Sequence, residues 1–219
     1  MLVSRRADLV EDQTRRLSRM HDLLASFHPG LERALDLTTK GALWLLSRYA
    51  TPAEIRRAGR GRLVAHLKRA GRLKGSGVEA LADAALVSAK AQRVAVPSER
   101  VAAELLRELA AEALAVKERL ARLDRDLEAL LGRHPDAAIV RSLPGMGTVL
   151  TAEFIAEAGD VSRFRSADAL ASAAGLAPVL RQSGKSRVLR RLNGGNKALK
   201  RIFYQSAFCS LHSPPSRAF

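Results

Sequence analysis

The chain has 219 residues, 37 of them Lys or Arg and 22 Asp or Glu, giving a formal charge of +15 and a pI near 11.2. With 47% hydrophobic residues it can bury one generous core or two small ones, which excludes disorder throughout. A charge of this size and sign points to a polyanionic partner rather than a neutral metabolite. No apolar run approaches the ~20 residues of a membrane span, and Arg5, Arg6, Asp8, Glu11 and Asp12 stand where a signal peptide would be apolar, so the expected location is cytoplasmic, with no membrane partner. The single cysteine, Cys209, excludes an internal disulfide and any multi-cysteine zinc site. Its setting between Phe208 and Ser210-Leu211 suits a buried small hydrophobe.

In chain order, the first element is a helix with a heptad seam: Val3, Val10, Leu17 and Leu24 on one position, Met20 and Phe27 on its partner, with Arg6 and Gln13 interrupting that partner row. His28-Pro29-Gly30 ends it. Trp44 and Tyr49 lie in an apolar helix, Ala42 to Tyr49, and are expected in the core. Thr51-Pro52-Ala53-Glu54 reads as a helix start, with Thr as N-cap, Pro in the first turn and Glu reaching back to form a capping box. From Ile55 to Lys74 the chain carries basic residues and no acid. Gly75-Ser76-Gly77 marks a turn before an Ala-rich helix from Val78 to about Val94. A second seam follows: Leu106, Leu109, Ala113, Val116, Leu120, Leu123, Leu127 and Leu130 alternate by three and four until Gly132 and His134-Pro135 stop the helix. The simplest partner for this seam is the first one, as an antiparallel coiled-coil-like hairpin; pairing between two chains is the alternative.

With no run of alternating β-branched residues, a sheet is not expected and the fold class is all-α. The predicted organisation is a helical linker region over 1–135, with a basic insert at about 51–75, followed by a compact helical domain over 136–219.

That last region carries the chemistry. Leu143-Pro144-Gly145-Met146-Gly147 joins a short helix to a longer one through Thr151 and Phe154, in the manner of the hairpin of helix-hairpin-helix DNA-binding motifs. Gly145 and Gly147 permit a tight turn and leave backbone N–H groups at a helix N-terminus, where a phosphate is stabilised by hydrogen bonds and the helix dipole. A structural turn without ligand is the competing reading, and a nucleotide P-loop is excluded because no Gly-Lys-Ser/Thr follows. From Ala169 to Phe219 there is again no acid, and Arg181, Lys185, Arg187, Arg190, Arg191, Lys197, Lys200 and Arg201 are the candidate nucleic-acid contacts. Within this stretch, Arg181-Gln182-Ser183-Gly184-Lys185-Ser186-Arg187 reads as a polar loop. A serine that attacks a phosphodiester needs an uncrowded approach and nearby positive charge, which Ser183 has by composition, although a Ser-Gly loop is commonly only a turn. Phe203, Tyr204 and Phe208 follow the last cations; at least two are expected to pack in the core, leaving one to stack on a base. The five histidines have no metal-ligand spacing, and no metal site is assigned.

The ordered set Leu143-Pro144-Gly145-Met146-Gly147, Ala174-Gly175-Leu176-Ala177-Pro178, Ser183-Gly184 and Gly194-Gly195-Asn196-Lys197-Ala198-Leu199-Lys200-Arg201 resembles the C-terminal transposase domain of the insertion-sequence one-ten family, the DEDD, bridge-RNA-guided recombinases. The resemblance implies that Ser183 is the catalytic serine that becomes covalently joined to DNA. It implies DNA and a structured guide RNA as partners, and a homo-oligomer or a full-length transposase engaged through the coiled coil. It also implies a bacterial protein, nucleoid-associated when bound to DNA. Family members begin with a RuvC-like α/β domain whose acidic tetrad binds magnesium. This chain starts after the point where that domain ends, and its end at Ser213 to Phe219 resembles the beginning of a further segment. The expectation is a truncated transposase, with no cofactor in this chain, that binds but does not cut alone. Two other readings compete: a noncatalytic helix-hairpin-helix DNA- or RNA-binding protein with a coiled-coil arm, and a regulatory remnant that competes for guide RNA or oligomer contacts.

Overall fold

The computed structural model describes residues 1–71, 75–183, 186–191 and 194–211, with the two strands described by backbone and register. Among these residues the fold class is all-α, with one two-stranded hairpin added to the helices. The chain divides into two compact units: a helical unit of residues 6–121, and a C-terminal unit of residues 1–5 with 122 onward.

The helical unit contains most of α1 (Leu2–Phe27), then α2 (Pro29–Ala34), α3 (Lys40–Leu46), α4 (Pro52–Lys68), α5 (Gly75–Ala91) and the first two thirds of α6 (Glu99–Leu131). Its core gathers Met20, Leu24 and Phe27 with Leu43, Leu46, Ile55, Leu63, Leu67 and Leu106, all buried. The α4 capping box forms as the sequence predicts: Thr51 Oγ1 accepts the Glu54 N–H at 3.2 Å, and Glu54 Oε2 accepts the Thr51 N–H at 3.2 Å. On α5, Val78, Ala82, Ala85 and Ala89 form a buried row at helical spacing, and these small side chains let α4 and α2 lie close. Gly30 of α2 is part of that close approach, since a Cβ there would stand 3.0 Å from Ser88 Oγ. Nearby, the buried His28 places Nε2 2.9 Å from the same hydroxyl, and burial holds its imidazole below the ordinary histidine pKa. Trp44 is half-buried, stacked on the His66 ring and donating its indole N–H to the His66 carbonyl at 3.0 Å.

The two seams depart from strict heptads. Within the helical unit, Gln13 Nε2 donates to the Ala113 carbonyl at 3.4 Å and Arg16 pairs with Glu112 at 3.0 Å. Yet Val10 is 40% exposed while Leu9 is buried, and at the other seam's end Leu130 is 52% exposed while Leu131 is buried. A straight helix of 3.6 residues per turn drifts by about 20° per heptad, so each row leaves the contact line after two or three repeats and the preceding or following residue replaces it.

The C-terminal unit adds α7 (Ala137–Ser142), α8 (Thr148–Ala158), a 3-10 turn (Val161–Arg163), α9 (Ala167–Ala173), β1 (Pro178–Ser183), β2 (Ser186–Arg191) and α10 (Lys197–Ser210). Val140, Met146, Phe154, Ala158, Ala174, Leu199 and Ile202 form its main core. The hairpin corrects the expectation of an irregular loop. Leu180 opposes Leu189 in the antiparallel register, while Val179 opposes Arg190 and Val188 opposes Arg181, so one aliphatic cross-strand pair and two β-branched residues favour strands on both sides of Gly184-Lys185, which lie outside the described residues.

Candidate nucleic-acid interface

Helix α10 is the element on which the C-terminal motifs converge. Asn196 caps it, its Oδ1 accepting from the N–H groups of Ala198 at 2.8 Å and Leu199 at 3.1 Å, while its Nδ2 donates to Glu157 at 3.0 Å. Leu199, Ile202 and Ser206, at spacings of three and four, form the inner face. Phe203 packs edge-on against Phe154, with ring centroids 5.7 Å apart.

The glycines of the three motifs bring backbone against backbone around this helix. Gly145 has a φ of +79°, and a Cβ there would meet the Ser206 carbonyl oxygen at 2.2 Å. The neighbouring Pro144 carbonyl accepts the Ser206 hydroxyl at 2.7 Å, so the Pro-Gly turn is seated on α10. Gly175, with a φ of +67°, would put a Cβ 2.3 Å from the Gly194 carbonyl oxygen, and Gly195 would put one 2.6 Å from the Gly175 nitrogen. The Ala-Gly and Gly-Gly-Asn motifs are therefore one junction, tightened by the Asn196 N–H bonding the Ala173 carbonyl at 2.7 Å. Gly147 differs: its φ is −78° and a Cβ there would meet nothing within 4 Å.

At the Pro-Gly turn itself the amides of Met146 and Gly147 bond the Leu143 and Gly145 carbonyls. The N-terminus of α8 has an acid beside it that the sequence reading missed. Glu128 of α6 accepts from both Arg141 and the Thr148 hydroxyl, the latter at 2.7 Å. The Arg141 hydrogen bonds, followed by that of Thr148, hold the Glu128 carboxyl at a pKa of about 2. A depressed carboxylate stabilises the fold above its ordinary pKa of 4.5, and that contribution is lost as the pH falls through about 2. Glu128→Gln should thus flatten the acid dependence of unfolding between those two values, as measured by circular dichroism; an unchanged acid limb contradicts the pairing.

Opposite the inner face, α10 turns Lys197, Lys200, Arg201, Tyr204, Phe208 and Leu211 along an open groove of about 830 Å³. Tyr204 is 56% and Phe208 70% exposed, so of the three C-terminal aromatics only Phe203 packs, which corrects the expectation of two in the core. Cys209 is exposed too, not buried: it continues the Leu199-Ile202-Ser206 spacing but lies in the last turn of α10. Arg201 is engaged, paired with Glu153 and donating to Gln205 at 2.8 and 2.9 Å, whereas Lys197 and Lys200 have no acid partner among the described residues.

The hairpin register sorts the remaining candidates. Ser183 ends β1 directly opposite Ser186, and Arg181 and Arg190 fall on the same face of the ribbon at alternate positions. Arg187 and Arg191 fall on the other face, so the cations grouped around Ser183 by sequence proximity divide between two faces. Lys185 lies outside the described residues. Among the described residues no three His, Cys, Asp or Glu side chains converge as a metal site.

No helix of the described residues is long and apolar enough to cross a membrane. No solved structure matches the chain. Residues 137–219 match the model of the transposase IS116/IS110/IS902 family. The chain is 40% identical, over all of its length, to the insertion element IS116 uncharacterized 44.8 kDa protein of Streptomyces clavuligerus, covering 55% of that protein. It is also 40% identical, over 99% of its length, to the insertion element IS900 uncharacterized 42 kDa protein of Mycobacterium paratuberculosis, covering 54%. To the insertion element IS110 uncharacterized 43.6 kDa protein of Streptomyces coelicolor it is 36% identical over 99% of its length, covering 53%. The chain spans about half the length of the curated relatives it matches. Residues 137–219 thus carry the domain of the transposase IS116/IS110/IS902 family.

Proposed function

We propose that the chain is the DNA-binding, serine-bearing portion of an insertion-sequence transposase that acts in DNA recombination. The observation that carries this reading is the outer face of α10, where two lysines without acid partners stand beside exposed Tyr204 and Phe208 within the family-matched region. Cations that track a phosphate backbone combined with aromatic rings that stack on bases are the chemistry of nucleic-acid grooves. In this reading residues 136–219 form the transposase domain and 1–135 its helical linker. Arg181 and Arg190 share the face of Ser183, Arg187 and Arg191 contact backbone on the other, and Lys185 adds a further cation to the same segment of sequence. A structured guide RNA presents the same phosphates and is a second ligand of this domain, and the linker helices are the route to an oligomer.

Charge reversal tests it. Lys197→Glu with Lys200→Glu should weaken binding to a duplex by about tenfold or more at fixed salt. Reversal of Arg15 and Arg16, which already pair with Glu11, Asp12 and Glu112, should have little effect on binding. Equal losses from the two pairs, with both variants folded, would place the footprint elsewhere.

A further inference from the structure

The basic run of α4 divides into arginines that hold the fold together and arginines that do not. Arg56 donates to the Gln92 carbonyl at 2.8 Å and to that of Ala89, and Arg60 pairs with Asp83 at 2.8 Å and Glu79 at 3.3 Å, so both are engaged with α5 and the segment just after it. Arg57 and Arg62 have no such partner among the described residues. Instead they line a polar cavity of about 510 Å³ together with Arg48 from the end of α3, and with Glu54 and Arg107. Four arginines from three parts of the chain therefore line one cavity with a single carboxylate.

That carboxylate is already engaged. Burial raises the pKa of Glu54, but the N–H groups of Ala50 and Thr51 and the guanidinium of Arg107 outweigh it and keep the carboxylate ionised. With Arg107 matched to Glu54, Arg48, Arg57 and Arg62 remain as three like charges around one space. Arg48 has its guanidinium carbon 5.7 Å from the Tyr49 ring centroid and no acid partner among the described residues.

The backbone is built for this convergence. On an unbroken helix, residues five apart lie about 140° around the axis and cannot line one cavity. Between Arg57 and Arg62, α4 breaks at Gly59, with φ 67° and ψ 169°, which resets the helix phase. A Cβ at Gly59 would meet nothing within 4 Å, so glycine stands there for its backbone angle and not for want of space.

Like charges gathered without a counter-charge repel one another, and the forked guanidinium is matched in shape to phosphate oxygens. We infer that the cavity lined by Arg48, Arg57 and Arg62 binds phosphate groups of a nucleic-acid backbone, a contact in the helical unit separate from α10. The inference rests on the proposed function for the ligand's identity alone; the anion site follows from the cavity.

The test uses the full chain and measures binding of a fluorescent single-stranded oligonucleotide across a salt series. Arg57→Gln with Arg62→Gln is introduced both into the native chain and into the Lys197→Glu, Lys200→Glu chain. In each background it should weaken binding several-fold and lower the slope of log affinity against log salt by about 1.5. Gly59→Ala, which keeps every arginine but strains the break, should give part of the same loss. An α10 double variant without effect would sink the proposed function and leave this inference standing if the arginine pair still matters. If the arginine substitutions change neither affinity nor slope in either background while the chain remains folded, the inference is wrong. Inorganic tripolyphosphate binding that is lost with the arginines, while oligonucleotide binding is kept, would assign the cavity to a free phosphate compound and overturn the nucleic-acid assignment. Polyglutamate competing as well as an oligonucleotide of equal charge would assign it to an acidic protein, with the same consequence.

Discussion

Gly145→Ala is expected to lower the melting temperature by roughly 10 °C, the equivalent of about 3 kcal/mol in a chain of this size. Two costs add: a left-handed residue with a side chain, worth about 1–2 kcal/mol, and a Cβ 2.2 Å from the Ser206 carbonyl oxygen, a backbone atom that cannot rotate away. Gly147→Ala, two residues on in the same motif, should change stability by no more than about 0.5 kcal/mol, because its φ is ordinary and the space around it is open. Thermal unfolding of the two variants separates a packing turn from one whose glycines serve ligand approach alone. Equal and small effects would mean that the turn is not seated on α10.

Ser183→Ala should abolish covalent joining to DNA in a reaction supplied with a RuvC-like domain and guide RNA, while duplex affinity stays within about twofold. Under the proposed function the step it would remove is a transesterification: the Ser183 Oγ–P bond forms, the bond from phosphorus to a DNA sugar oxygen breaks, and that oxygen leaves as a hydroxyl with the proton the serine gave up. Ser186, directly across the ribbon on the same face, is the stringent control, and Ser186→Ala should keep the adduct. Mass mapping of the adduct to Ser186, or undiminished joining by Ser183→Ala, would overturn the assignment.

Local structure is legible in the sequence where a few neighbouring residues decide it. The Thr51-Pro52-Glu54 start, the stop at His28-Pro29 and the long helix ending near Gly132 all rest on contacts within four residues. What the sequence hid depends on partners far along the chain. Arg60 meets Asp83 and Arg201 meets Glu153, so two stretches without acids look freer in the sequence than they are in the fold. Glu128 reaches Arg141 and Thr148 from the preceding helix, and no spacing rule points to it. The Ala174-Gly175 and Gly194-Gly195 motifs are 19 residues apart at their nearest glycines, and only the fold shows that each is glycine because the other's backbone lies against it. Charge composition placed Lys197 and Lys200 in a binding segment. The outward turn of Tyr204 and Phe208 needed the helix phase, which is set by Leu199 and Ile202 packing inward.

A grip of the outer face of α10 on a phosphate backbone, as proposed, is measured by the salt dependence of binding. For duplex binding followed by anisotropy between about 50 and 200 mM salt, log affinity should fall linearly with log salt, at a slope of about −0.9 for each phosphate contacted. Lys197→Glu with Lys200→Glu should reduce that slope by about 2 and leave the melting temperature unchanged, since neither lysine has an ion-pair partner among the described residues to lose. An affinity insensitive to salt, or a slope that stays at the native value in the double variant, would contradict the account.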